Sequence, residues 1–260
     1  MKKAILVVSF GTTYPETRKK TIEACEKRIV DAYPDYDVYR AFTSNMVIGR
    51  IKKQEGMSIN TTSQALKMLK EQEYQEVIVQ PLHVITGSEY HKVLKQAEPF
   101  RGEFTKFKIS RPLLTYHRDY EKVIESLDDL ISPLSAKEAI VLMAHGSEHA
   151  SFATYACLDH MLGDKPVEIC CVESYPHLDD TITSLKAAGK TTLHLYPFML
   201  VAGDHATNDM ASDDDDSWKS QLIRAGFNVE THLVGLGENK KIQAIYLSHL
   251  SELMNEEEQE

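Results

Sequence analysis

At 260 residues, with 42% hydrophobic and 26% charged side chains, the chain has the composition of a globular protein with room for one large or two ordinary domains. A formal net charge of −10 argues against a nucleic-acid partner, which would call for a clustered basic surface, and leaves a cationic substrate such as a metal ion open. No apolar stretch is long enough to span a bilayer, so no membrane partner is expected.

Met1-Lys2-Lys3 and the apolar run Ala4 to Phe10 imitate a secretory signal. The run is short, however, and leads into Gly11-Thr12-Thr13-Tyr14-Pro15 instead of a small-residue cleavage site, which predicts a cytoplasmic protein. From there β-type runs alternate with helical patterns. Strands are predicted at Ala4–Ser9, Asp37–Phe42, Glu76–Leu82, Lys106–Arg111, Ala139–Ala144, Val167–Val172, Thr192–Leu200 and Val229–Leu233. Several are apolar throughout, as in strands covered on both faces. Thr61-Thr62 offers an N-cap for a helix carrying Ala65, Leu66 and Leu69. Helical spacing recurs at Tyr120, Val123, Ile124, Leu127, Leu130 and Ile131, and again at Ile242, Ile245, Tyr246, Leu250 and Leu253. The order β-α-β-α predicts parallel sheets with helices on both sides.

Two stretches repeat. Ala4–Thr12 aligns with Ala139–Ser147, and Pro81–Glu89 with Pro197–His205. The chain therefore reads as two similar doubly wound α/β domains related by internal duplication, residues 1–132 and 133–260, divided at Ser132-Pro133-Leu134-Ser135. Asp213 to Asp216 reads as a loop and helix start, and Glu256 to Glu260 as a solvated tail. Cys25, Cys157, Cys170 and Cys171 form no C-x-x-C pair, which excludes zinc-ribbon and thioredoxin readings and predicts reduced thiols.

The copies differ where strands end. Phe10 is answered by His145, and Glu89 by His205. In an open parallel sheet ligands bind beyond the carboxyl ends of the strands. His145 stands at such an end before Gly146-Ser147 and a helix, whose N-terminus would keep the imidazole neutral. Glu173 and His205 follow the next strands. Two imidazoles and a carboxylate suit a first-row divalent ion and leave coordination positions open. Phe42 is paired with Glu173, and His83, opposite Met199, is read as buried. His194, His232 and the remaining histidines are read as surface or packing residues. No Walker A loop, G-x-G-x-x-G or G-x-S-x-G motif is present, so the chemistry is expected to need no nucleotide.

At Ser9-Phe10-Gly11-Thr12, Ala144-His145-Gly146-Ser147, Val172-Glu173-Ser174-Tyr175-Pro176 and Val201 to Ala206 the chain resembles the anaerobic sirohydrochlorin cobaltochelatases, class II chelatases related to ferrochelatase. The likeness runs from Met1 to about Leu253. It implies a chelatase-like fold, insertion of Co2+ into sirohydrochlorin on the early-cobalt route to cobalamin, and no cofactor beyond that metal, ATP included. By the same resemblance His145 is catalytic base and metal ligand, Glu173 and His205 are the other ligands, and Glu89 is an acidic residue facing the site. Phe10 and Phe42 are then candidate macrocycle contacts, and Arg40, Arg50, Lys52 and Lys53 candidate grips for the substrate carboxylates. Nickel or iron insertion, or a non-catalytic tetrapyrrole or metal carrier, are the alternatives. Homo-oligomerisation stays open.

Overall fold

The computed structural model describes residues 1–255; the stretch Glu256 to Glu260 lies outside the described residues. Strands form close to where hydropathy puts them: β1 (Lys3–Ser9), β2 (Asp37–Phe42), β3 (Glu76–Pro81), β4 (Lys106–Ile109), β5 (Glu138–Ala144), β6 (Val167–Cys171), β7 (Thr192–Pro197) and β8 (Asn228–Thr231). The helices are α1 (Pro15–Lys20), α2 (Ile22–Ala32), α3 (Asn45–Glu55), α4 (Thr62–Glu71), α5 (Ser88–Ala97), α6 (His117–Ser126), α7 (Asp128–Ile131), α8 (Ala153–Leu162), α9 (Leu178–Ala187), α10 (Trp218–Arg224) and α11 (Lys240–Asn255). Thr61 caps α4 in a reciprocal capping box with Gln64. Ser217 caps α10 just after the exposed Asp213 to Asp216 run. Among the described residues no helix is long and apolar enough to cross a membrane.

The strands form two four-stranded parallel sheets, ordered β2-β1-β3-β4 and β6-β5-β7-β8. The central strands β1 and β5 are buried from their second residue on, because helices cover both faces. In the first sheet Leu6, Val8, Val77 and Val79 pack against Leu66, Leu69 and Val93 of α4 and α5. In the second, Val141, Met143, Leu193 and Leu195 pack with Leu185 of α9 and Leu222 of α10. The four cysteines are free, and burial pushes the Cys25 and Cys171 thiols up to about 12.

The division of the chain differs from the expected break at 132/133. One compact unit is Met1–Thr115 together with the segment from Lys240, and the other is Tyr116–Asn239. The apolar pattern around Tyr120, expected to close the first copy, forms α6 and α7 of the second unit. The last helix, α11, returns to the first. Tyr246 anchors it there: its ring is buried and its hydroxyl donates to the Leu82 carbonyl at 3.0 Å, just past β3. Ile242, Ile245 and Leu250 are buried beside it, and each such side chain contributes roughly 1.5–3 kcal/mol.

Register settles which residues are counterparts. Ser9 pairs with Phe42, and Ala144 with Cys171. Phe42 therefore corresponds to Cys171, and Glu173 to Ser44, two residues away from the expected pairing. Val8 pairs with Pro81 and Met143 with Pro197, which keeps Glu89 opposite His205.

Candidate metal centre

In both units the first strand leaves its sheet through a part-exposed side chain, Phe10 or His145, into a glycine with positive φ, Gly11 at +93° and Gly146 at +89°. Positive φ favours glycine, and space requires it. A Cβ on Gly11 would lie 2.4 Å from the Phe42 ring, and one on Gly146 2.8 Å from Ser174 Oγ. In the second unit the turn is tied to the exit of β6: the Glu173 amide donates to the His145 carbonyl at 3.0 Å, and the Ser147 amide to Ser174 Oγ at 3.0 Å. Backbone geometry thus delivers His145 and Glu173 side by side.

His145 Nδ1 lies 3.5 Å from Glu173 Oε2 and 3.3 Å from the Gly146 carbonyl. Bonds of about 2.0–2.2 Å to a first-row cation set neighbouring donors roughly 3–3.5 Å apart, so this pair stands at ligation spacing. His205 precedes the wide turn Ala206–Met210 and meets His145 edge-on, with ring centroids 4.7 Å apart at 88°. Its Nδ1–H donates to Asp209 Oδ2 at 2.5 Å, which leaves Nε2 as the nitrogen with a free lone pair. A carboxylate behind the imidazole fixes both ring orientation and tautomer. The side chains of His145, Glu173 and His205 are 43%, 50% and 38% exposed, so the group faces solvent and is not sealed in the core.

Four expectations need correction or refinement. His149, not His145, stands at the start of the helical segment, where its Nδ1 accepts from the Ser151 amide at 3.1 Å; the macrodipole there acts on His149. Phe42 is fully buried with its ring against Gly11, because register turns it into the core, and it has no face to offer a macrocycle. Arg40 is committed to Glu26 in a two-pronged pair, with Glu23 at 3.3 Å, and is no free grip for a substrate carboxylate. Arg50, Lys52 and Lys53 are exposed on α3. His83 is buried as expected but lies beyond β3, and neither ring nitrogen has a hydrogen-bond partner. Burial pushes its pKa down to about 4.

In the first unit Phe10 is 46% exposed at the end of β1. Glu89 sits in the first turn of α5, with Oε2 4.0 Å from Lys92 Nζ. Sequence reasoning passed over a second donor set altogether. Among the described residues, the three donors that all lie within 4.8 Å of one another are His194, Glu230 and His232. The signal was available in the strand register, though not in the linear spacing.

The profile of the cobalt chelatase family CbiK matches residues 3–255. The chain belongs to that family. It is 47% identical over 257 residues to the sirohydrochlorin cobaltochelatase of Salmonella typhimurium, covering 98% of this chain and 97% of that protein. It is 31% identical over 255 residues to the sirohydrochlorin cobaltochelatase CbiKC of Nitratidesulfovibrio vulgaris, covering 96% and 90%. Among solved structures, SirB from Bacillus subtilis with Fe3+ aligns over 100% of this chain and 98% of its own, with TM-score 0.63 at 16% identity. CbiX, the terminal enzyme of siroheme biosynthesis in denitrifying bacteria, aligns over 96% and 99%, with TM-score 0.60 at 17% identity. At that identity the two structures show a common fold.

Proposed function

We propose that this chain inserts Co2+ into sirohydrochlorin without ATP, on the early-cobalt route to cobalamin. The observation that carries the reading is the end-to-end match to the cobalt chelatase family in a chain whose His145 and Glu173 stand 3.5 Å apart at neighbouring strand ends.

Insertion removes two pyrrole protons and exchanges water on the metal for ring nitrogens. His145, Glu173 and His205 hold the incoming cation. Three protein donors leave positions open, through which ring nitrogens displace water. His145 and Glu173 already stand at ligation spacing, whereas the donors of His145, Glu173 and His205 do not all lie within 4.8 Å of one another, so a cation shared by the three would have to draw the His205 side chain inward. As the cation passes to the ring nitrogens the His145 lone pair is released from it, and His145 is then the base that accepts a pyrrole proton. Glu89 is the acidic group that carries protons onward, Phe10 is the apolar contact for the macrocycle, and Arg50, Lys52 and Lys53 are the candidates for its carboxylates.

The test is absorbance-monitored turnover under anaerobic conditions, with sirohydrochlorin and Co2+ both in large excess over protein. Many equivalents of cobalt product per chain are expected, formed faster with Co2+ than with Ni2+ or Fe2+. A single stoichiometric burst would make the chain a carrier, and a faster rate with another metal would reassign its substrate.

A further inference from the structure

The second unit carries another donor cluster on one face of its sheet, with His194 on β7, Glu230 on β8 and His232 just past the end of β8, whereas His145 follows the carboxyl end of β5. His194 and Glu230 are register partners on β7 and β8, so their side chains leave the same face, and His232 follows two residues on. His194 Nδ1 lies 3.3 Å from His232 Nε2 and 3.5 Å from Glu230 Oε2. These are the separations that neighbouring ligands of one first-row cation adopt, roughly 3–3.5 Å for bonds of about 2.0–2.2 Å.

The surroundings orient both rings. His194 Nε2 lies 3.4 Å from Glu138 Oε1, at the start of β5. The His232 ring stacks on Tyr196 with centroids 4.3 Å apart and planes at 6°. With one ring nitrogen turned to Glu138, the other, Nδ1, faces both His232 and the Glu230 carboxylate, so one donor atom from each of the three residues lies within 4.8 Å of the others.

The fold does not require these residues. By the same register, Glu138, His194, Glu230 and His232 correspond in the first unit to Lys3, Ile78, Lys108 and Ser110. There Lys108 has a structural task, donating from Nζ to the Leu253 carbonyl of α11 at 2.8 Å. Glu230 has no such helix to hold, and its side chain is 62% exposed.

We propose that His194, Glu230 and His232 form a second site for a first-row divalent cation, Zn2+ or Co2+ by donor type, with Glu138 orienting His194. The inference is independent of the metal centre proposed for catalysis. Its test is calorimetric titration of the full-length, metal-free protein with Co2+, alongside the visible spectrum of the bound ion. Wild type is expected to bind two equivalents. The double variant His194→Ile/His232→Ser, which imports the first unit's residues, is expected to lose one. Glu138→Gln is expected to weaken that equivalent about 10–100-fold, and the exposed change Glu230→Gln to weaken it at least about 10-fold without disturbing folding. His145→Ala/His205→Ala is expected to lose the other equivalent and keep this one. Co2+ binding that is the same in wild type, His194→Ile/His232→Ser and Glu230→Gln would overturn the proposal, as would loss of all binding in His145→Ala/His205→Ala.

Discussion

In the first unit β1 runs out through Phe10, and in the second β5 runs out through His145, over turns built on matching positive-φ glycines. At the neighbouring strand exit the first unit places Ser44, which caps α3 by accepting from the Val47 amide at 3.3 Å. The second places Glu173, whose carboxylate turns to His145. At the third exit Glu89 and His205 are counterparts by register. The scaffold positions of the two units are nearly interchangeable, while their strand-end side chains are not. One copy fills these positions with an apolar surface residue, a helix cap and the Glu89 carboxylate, and the other with the proposed cation donors His145, Glu173 and His205.

That comparison can be broken by moving residues between copies. His145→Phe carries the largest expected effect: turnover falls about 10²–10⁴-fold through loss of the base, while the thermal melt stays near wild type, since Phe10 already occupies the matching turn. Turnover at the wild-type rate would remove His145 from the mechanism. Asp209→Asn should raise the apparent KM for Co2+ about 10–100-fold by loosening His205, with a smaller change in kcat; an unaltered metal titration would mean that the 2.5 Å contact is only structural. Gly146→Ala combines an unfavourable φ with a 2.8 Å clash on Ser174, and chemical denaturation should show a loss of about 1–3 kcal/mol.

The smallest effect is expected at His83, whose counterpart is Met199. His83→Met should stabilise the protein by about 1 kcal/mol at neutral pH, because two buried ring nitrogens no longer go unpaired. The gap should widen in acid. The folded-state pKa of about 4 lies below the ordinary 6.5, so the unfolded chain takes up a proton that the folded chain refuses. Stability tied to neutral His83 is complete above pH 6.5 and drains away as pH falls from there toward 4. Melting curves of the two proteins that stay parallel between pH 7 and pH 5 would contradict this.

Much of the candidate site was legible because its residues sit next to strands that hydropathy marks, and because an internal copy supplied a control for each position. His145 and His205 stood out against Phe10 and Glu89. The Phe42–Glu173 pairing failed for want of register: a shift of two residues keeps the same face of the strand, so the alternation of side chains raised no objection. The juxtaposition of His194, Glu230 and His232 was not legible because Glu230 comes close to His194 only through strand pairing, from more than thirty residues away along the chain.

The sequence by itself determined the elements, their parallel order, the duplicated turns and the family, since each depends on local hydropathy, glycine placement or motif. Only the tertiary structure decided that α11 belongs to the first unit and α6 to the second. An amphipathic helix records that it needs an apolar sheet face, and two similar sheets satisfy that need equally until buried contacts such as the Tyr246 hydroxyl on Leu82 choose between them.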